Sequence, residues 1–218
     1  MTWVTVTTVI VLAAALGAGA DEAPPLARIV DDCLKATTQR ARYHVDVVQT
    51  IFRGKVAVGD TVKEVAQDTC AFTLSCDPVT GTTTTKQEPA EGQGGATSRP
   101  RLNVRMAIDV GRFLREMRAW PEVAVAADEL AGRPCYKVSG LSAKDNPNAM
   151  ACTLWVDVEH SYVSKLLLDV QARRFAEASF EYRKVGDAPW QLSKATVVHP
   201  QDGSRIEQEF GAYQFEGK

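Results

Sequence analysis

The chain has 218 residues, 24% of them charged, with 25 basic and 27 acidic side chains and a formal net charge of −2. This balance, with no basic stripe and no stretch that interleaves aromatic and basic residues, argues against nucleic acid as a partner. No stretch after residue 20 has the ~20 apolar residues that a membrane-spanning helix needs.

The first 20 residues have the features of an export signal. They contain no charged side chain, are rich in Val, Ala and Leu, and end in Ala18-Gly19-Ala20, a small-x-small cleavage pattern. We therefore predict a signal peptide over residues 1–20 that is cleaved after Ala20. The alternative is an uncleaved membrane anchor, against which the interrupting Thr and Gly residues argue. Residues 21–218 are long enough for one domain with its own core.

A helix is predicted directly after the signal peptide. Pro24 and Pro25 open a segment with the spacing of an amphipathic helix that packs on a sheet; its apolar residues are Leu26, Ile29, Val30, Cys33 and Leu34. From Arg42 the apolar period changes to two, which predicts antiparallel strands with one buried and one solvated face. The buried face is expected to carry Tyr43, Val45, Val47, Gln49 and Ile51, then Cys70, Phe72, Leu74 and Cys76.

Residues 77–100 differ in composition from the segments around them. They are rich in Gly, Pro, Thr and Glu and show no apolar period. We predict a flexible, low-complexity loop within the single domain, not a domain boundary. The threonines at 82–85 leave open an O-glycosylated or partner-binding tract, and a long loop of this kind could also gate a cavity.

The second half of the chain is predicted to be an antiparallel meander. Residues 102–108 alternate as a strand, residues 111–118 match a short helix that ends before Pro121, and about six strands with short turns follow. The last turn contains Asp202-Gly203, typical of a two-residue hairpin. Since helices do not alternate with strands, doubly wound folds are excluded, and an α+β domain dominated by one bent sheet fits best.

The five cysteines are Cys33, Cys70, Cys76, Cys135 and Cys152, an odd number that leaves at least one thiol unpaired. Cys70 and Cys76 lie on one predicted strand, roughly 20 Å apart and too far to bridge. Cys135 and Cys152 lie on consecutive strands; their alternation argues against a disulfide but leaves it open. The spacing matches no zinc motif, so no metal is predicted.

Signatures of catalysis are missing from the sequence. It has no G-x-S-x-G element and no Cys–His pair close together, and its histidines are His44, His160 and His199. Asp157, Glu159 and His160 could in principle hold a metal or act as acid and base, but no further ligand accompanies them at suggestive spacing. We interpret this cluster as the turn between two strands and His44 as a solvated position, and we predict that the protein is not an enzyme.

The predicted strands carry more apolar residues than one buried face requires. Leu166 and Leu168 share one face of a strand, for example, whereas Leu167 lies on the other. A bent sheet that lines a cavity on one face, with helices over the opening, would use this excess. An ordinary hydrophobic core would explain it equally well.

The order of short motifs over residues 128–215 resembles the LolA-like outer-membrane lipoprotein-sorting proteins, the carriers and their relatives. In that family a G-x-x-C/A-Y-x-V/L strand precedes a W-x-D strand, which K/L-rich and W-x-P strands follow. The matching residues are Gly132, Tyr136, Val138, Trp155, Asp157, Lys165, Leu166, Trp190 and Leu192. The family's R-P-x-x-x-R/W strand has only a partial match at Arg99-Pro100.

This resemblance implies a periplasmic protein of the α+β class, mainly antiparallel β, built as a single strongly curved open sheet, a half-barrel, with a few helices over its concave face. It implies that lipoprotein acyl chains or another lipid-like ligand are held there, with no catalytic residue, cofactor or metal. The candidate cavity residues are Val45, Val47, Ile51, Phe72, Leu74, Val104, Met106, Tyr136, Val138, Leu154, Val156, Leu166 and Leu168. The alternative is a periplasmic sensor or assembly module that binds a protein partner, periplasmic or membrane-bound, on the same sheet.

Overall fold

The computed structural model describes residues 23–58, 61–78, 82–87, 110–143, 146 and 148–216. In this part of the chain the helices are α1 (Leu26–Thr37) and α2 (Val110–Met117). The strands are β1 (Tyr43–Val58), β2 (Thr61–Asp77), β3 (Thr82–Gln87), β4 (Glu122–Leu130), β5 (Arg133–Leu141), β6 (Met150–Asp157), β7 (Val163–Val170), β8 (Arg173–Arg183), β9 (Gln191–His199), β10 (Ser204–Phe210) and β11 (Gln214–Phe215).

All the strands belong to one open antiparallel sheet, as the sequence predicts. Its order is β3-β2-β1-β10-β9-β8-β7-β6-β5-β4, with β11 paired to the start of β1. From β4 to β10 each strand pairs with the next one along the chain, which confirms the meander. The first hairpin joins the sheet through β1, where Val47 lies opposite Phe210 of β10.

One face of this curved sheet, the concave face, forms the core under the two helices. Along β1, Val45 and Val47 point into it and are at most 1% exposed, whereas Val48 on the outer face is 44% exposed. The period of two predicts this division, because successive side chains of a strand point to opposite faces. The helices complete the same core with Ile29, Val30, Cys33, Val110, Leu114 and Met117.

Contacts between side chains and the backbone hold the helices against each other and on the sheet. Arg118, just after α2, donates to the carbonyl oxygen of Ala27 at 3.1 Å and forms an ion pair with Asp31 of α1. Below α2, Gly140 of β5 leaves room for the helix: a Cβ there would lie 2.9 Å from the Trp120 ring and 3.0 Å from Met117 Cε. The helical layer therefore rests directly on the start of the meander.

Two predictions, one of a loop and one of a turn, need correction. Within the predicted loop at 77–100, residues Thr82–Gln87 form strand β3, and Asp77 ends β2. Threonine favours strands, but β3 ends the sheet among the described residues and its side chains at 83–86 are all exposed, so it has no apolar period. The last hairpin closes through four residues, 200–203, since His199 pairs with Ser204, and a two-residue turn at Asp202-Gly203 is wrong.

The described cysteines are all free thiols. The open question of a Cys135–Cys152 disulfide is settled by the register: Cys135 lies opposite Asp157, whereas Cys152 lies opposite Gly140, farther along the same pair of strands. Burial raises the pKa of the Cys33 thiol to about 12 and also raises the pKa of Cys152. These thiols behave as small apolar side chains of the core.

Several sequence predictions fall outside the described residues. They are the signal peptide at 1–20, most of the remainder of the 77–100 segment, the strand at 102–108, and the candidate cavity residues Val104 and Met106.

Candidate functional site

The described members of the predicted cavity set lie on the concave face, and all but Ile51 belong to, or pack against, one core cluster. They come from β1, β2, β5, β6 and β7, and all are buried except the half-buried Tyr136. Val47, Val138 and Leu154 are completely inaccessible to solvent. In the described part of the chain, most of this surface is therefore packed as a core beneath the helices.

An open cleft of about 390 Å³ lies at one margin of this core. It runs between the first turns of α1, strands β5 and β6, and the turn that joins β6 to β7. The lining residues are Pro24, Arg28, Ile29, Asp32, Tyr136, Val156, Val158 and Ser161. Of the predicted set, only Tyr136 and Val156 border the cleft; the other described members are core residues.

The accessible lining of the cleft is mainly polar, its rim is charged, and its apolar part adjoins the core. Ile29 and Val156 are buried at the floor, and Val158 leaves 39% of its surface exposed. At the rim, Arg28 Nε lies 3.7 Å from an Asp32 carboxylate oxygen, and both side chains are more than half exposed. An exposed pair of this kind contributes roughly 0–1 kcal/mol to stability, so Arg28 can exchange this partner for another anion at little cost.

Asp157 fixes the β6–β7 turn, which supplies Val158 and Ser161 to the cleft. Its side chain is only 3% exposed and accepts hydrogen bonds from the His160 backbone N–H at 2.8 Å and from His160 Nδ1 at 3.0 Å. Ser161, with a φ of 54°, donates its backbone N–H to the carbonyl oxygen of Asp157. The turn interpretation of this cluster is confirmed, and the role of Asp157 in it is structural.

A cluster of aromatic rings joins this turn to the end of α1. The Tyr162 ring stacks on Tyr182 at 4.6 Å between centroids, and the Trp190 ring meets Tyr162 edge-on at 5.3 Å. The Trp190 backbone N–H donates to the carbonyl oxygen of Ala36 in α1 at 2.7 Å. In the sequence, Trp190 stands out only as part of a motif. Its contact with α1 could not be predicted from the sequence, because it joins two segments that lie far apart in the chain.

Trp155, which precedes Asp157 by two residues in the W-x-D motif, lies on the outer face of the sheet. Its indole N–H donates to Asp128 at 3.0 Å, and the ammonium groups of Lys137 and Lys165 lie 5.7 and 5.8 Å from its ring centre. These contacts link four neighbouring strands, from β4 to β7. The tryptophan therefore fastens the sheet from outside and does not reach the cleft.

The side chains that could bind a metal are not gathered into one site in the described part of the chain. Among the described ranges, no group of three or more His, Cys, Asp and Glu side chains is placed to hold a metal ion. The histidines lie apart from one another. His44 contacts Gln214 on the outer face of β1, the face that the alternation along the strand predicts for it, and His199 contacts the backbone of Phe175. No helix in the described ranges is long and apolar enough to cross a membrane.

Neither a protein-family model nor a curated protein matches the sequence significantly. Solved structures match it over most of its length. A domain from Vibrio parahaemolyticus designated as an outer membrane lipoprotein-sorting protein is 11% identical, with a TM-score of 0.55, and the match covers 87% of this chain and 92% of that one.

Two further structures give the same picture. LolA superfamily protein NE2245 from Nitrosomonas europaea is 10% identical with a TM-score of 0.55, over 90% of this chain and 96% of that one. A DUF1329 family protein from Desulfovibrio piger is 12% identical with a TM-score of 0.51, over 88% and 94% of the two chains. At these identities the likeness concerns the backbone, and the chain has the LolA-like fold.

Proposed function

We propose that this protein is a non-catalytic, exported binding protein of the periplasm that holds lipoprotein acyl chains or another lipid-like ligand between α1 and the curved sheet. The observation that carries the proposal is the continuous apolar core on the concave face beneath the helices. The cleft of about 390 Å³ reaches this core at Ile29 and Val156, which belong both to the lining of the cleft and to the core. A ligand that entered the cleft would thus meet the same apolar surface that α1 covers.

Burial of hydrocarbon supplies the driving force for this function. Each methylene removed from water contributes about 0.8 kcal/mol, so affinity grows with the length of chain that the cleft accepts.

Two experiments test the proposal. Lipid extraction of the gently purified protein, followed by mass spectrometry, should recover a bound lipid. The delipidated protein should then bind an apolar fluorescent probe in a saturable way that added lipid reverses. Delipidated protein that binds neither probe nor lipid would contradict the proposal.

A protein partner is the second candidate, and strand β3 favours it. Its side chains at 83–86 are exposed, three of them are uncharged threonines, and in the described residues β3 ends the sheet. An edge of this kind can pair with an extended peptide through backbone hydrogen bonds. Deleting residues 79–100 should then abolish capture of the partner and leave probe binding intact; the reverse result would exclude this version.

A further inference from the structure

We propose that strand β4 binds an extended, basic segment of a partner protein, which adds one further strand to the sheet. The segment lies along the open edge of β4, the side of Glu122–Leu130 that faces away from β5. This inference goes beyond the proposed lipid ligand and does not depend on it. It also gives the protein-partner alternative a docking position at the opposite end of the described sheet from β3.

The register of β4 on β5 shows which backbone groups point into the open edge. Glu129 lies opposite Pro134, which has no N–H to donate. The carbonyl oxygen of Pro134 points to β6, where it accepts from the Val158 N–H at 3.2 Å. The Glu129 N–H in turn donates to the Asp128 carboxylate at 2.8 Å. The backbone of Glu129 therefore points away from β5, into the open edge.

The same direction holds for every second residue of the strand. In an antiparallel strand both backbone groups of one residue point to the same side, and the side alternates along the chain. The N–H and C=O groups of Val123, Val125 and Ala127 therefore also point into the open edge. Among the described residues β4 ends the sheet, and the exposed side chains of Ala124 and Ala126 leave it accessible to solvent. A segment laid along β4 would exchange backbone hydrogen bonds with it at each of these positions.

The concave side of the open edge carries apolar side chains that the core leaves half-buried. Val123 and Val125 of β4 pack against the core cluster without being enclosed by it. Trp120, just before β4, is half-buried in the same way, and it borders Gly140 together with Val123. An added strand with an apolar residue at every second position would cover Val123 and Val125 and continue the core by one strand.

The charges of β4 decide between a second copy of this chain and a segment of another protein. Glu122, Asp128 and Glu129 are exposed, and the strand contains no basic residue. Two copies paired edge to edge would gather these carboxylates from both chains along one short junction, where like charges oppose pairing. A segment with Lys or Arg at both ends of its strand would neutralise them instead. The open edge thus fits a basic partner and disfavours self-association.

The test uses a peptide designed for this edge, acetyl-KVTVTIK-amide, and follows its binding to the protein by NMR titration. Antiparallel to β4, its lysines lie opposite Asp128 and Glu122, and its apolar residues lie opposite Ala127, Val125 and Val123. We expect saturable binding that shifts the amide signals of β4 and slows hydrogen exchange at its edge-facing amides. The acidic peptide acetyl-EVTVTIE-amide should bind at least about fivefold more weakly, the order of two reversed cross-strand charge pairs.

Two N-methylated peptides separate backbone pairing from the attraction of charges alone. Methylation of the middle valine nitrogen removes an N–H that would donate to the Val125 carbonyl oxygen. This change should weaken binding about fivefold, the order of one backbone hydrogen bond. Methylation of the preceding threonine nitrogen, whose N–H points away from β4, is the matched control and should change binding by less than about twofold.

Variants of the protein locate the site on β4. Ala127→Pro removes an N–H that points into the open edge and spares the hydrogen bonds to β5, a position at which sheets tolerate proline; it should weaken peptide binding about fivefold. The double variant Glu122→Gln/Glu129→Gln should also weaken it about fivefold, the order of two exposed charge pairs. Glu181→Gln/Glu209→Gln, at two exposed carboxylates of β8 and β10, is its control and should change nothing.

The results separate the candidate occupants of the open edge. Absence of peptide binding, equal binding of the basic and acidic peptides, or equal weakening by the two N-methyl groups would overturn the proposal. These comparisons use the unmodified protein, so they hold should Ala127→Pro not fold. Shifts confined to β3 would overturn it in favour of the other edge, and self-association in sedimentation that Glu122→Gln/Glu129→Gln strengthens would assign the edge to a second copy. Apolar probe binding in the same samples tests the lipid proposal separately, since neither result requires the other.

Discussion

Gly140 is the position where α2 rests on the sheet, and its replacement by alanine should loosen that contact. Its backbone is ordinary strand, so alanine is conformationally allowed, and the smaller entropy of the unfolded alanine chain would by itself stabilise the protein by about 0.4–1 kcal/mol. The added Cβ, however, would lie 2.9 Å from the Trp120 ring, 3.0 Å from Met117 Cε and 3.3 Å from Val123 Cγ2. Overpacking of this kind costs typically 1–3 kcal/mol.

The clash should exceed the entropy gain, because Trp120 is itself held by an edge-on contact with Phe113 at 5.5 Å between ring centroids. We expect Gly140→Ala to lower the free energy of unfolding by about 1–2 kcal/mol. Urea denaturation measures this value, with circular dichroism and tryptophan fluorescence as probes and the slope of the transition compared with that of the unmodified protein.

Two further variants make the Gly140 test specific. Ser139→Ala, next to it but on the outer face, should change the free energy of unfolding by less than about 0.5 kcal/mol. In a Trp120→Leu background the Gly140→Ala penalty should shrink, since the ring that opposes the new Cβ is gone. A Gly140→Ala protein as stable as the unmodified one, or an equal loss of stability in both backgrounds, would refute this account of the contact between α2 and the sheet.

The other predictions concern the core, the turn and the thiols. Val47→Ala should cost roughly 2 kcal/mol of stability and Val48→Ala less than about 0.5, because only Val47 is buried; similar costs in denaturant would contradict the assigned faces. Asp157→Ala should cost about 1.5–3 kcal/mol and Asp157→Asn less, since the amide oxygen still accepts from the His160 N–H; equal losses, measured the same way, would argue against this bond. Burial raises the pKa of Cys33 from 9.0 to about 12, so between these values the unfolded chain loses a proton that the native one keeps. The free energy of unfolding should therefore fall as pH rises above 9.0, by up to about 1.4 kcal/mol per pH unit. Denaturation of a Cys33→Ala variant should show a flatter pH profile, and an equally steep profile would show that this thiol is not the cause.

The sequence predicts those parts of the fold in which burial leaves a periodic trace. Tyr43 to Ile51 alternate along β1 because every second side chain enters the core, and the spacing of Ile29, Val30 and Cys33 shows the face of α1 that packs on it. Strand β3 leaves no such trace, because its side chains at 83–86 are exposed and its backbone pairs with β2. Its threonines therefore resemble a linker in composition.

The cleft could be predicted only in part, for a related reason. Tyr136 and Val156 are identified by strand alternation, which places them on the concave face. Whether a concave residue borders open space depends on where α1 lies, and no local pattern contains that information. Val158 and Ser161 line the cleft because they lie in the turn that Asp157 holds. The stretch from Asp157 to His160, which in the sequence suggests a ligand cluster, therefore contributes to the shape of the cleft.

The pairing of β1 with β10 has a consequence for the order in which this chain can fold. Val47 finds Phe210 only when almost the whole sequence is available, whereas the strands from β4 to β10 need only their immediate successors. The first hairpin thus remains without its partner in the sheet until the last strands are present. Contacts between such distant parts of a sequence form slowly, so we expect the first hairpin to join the sheet last.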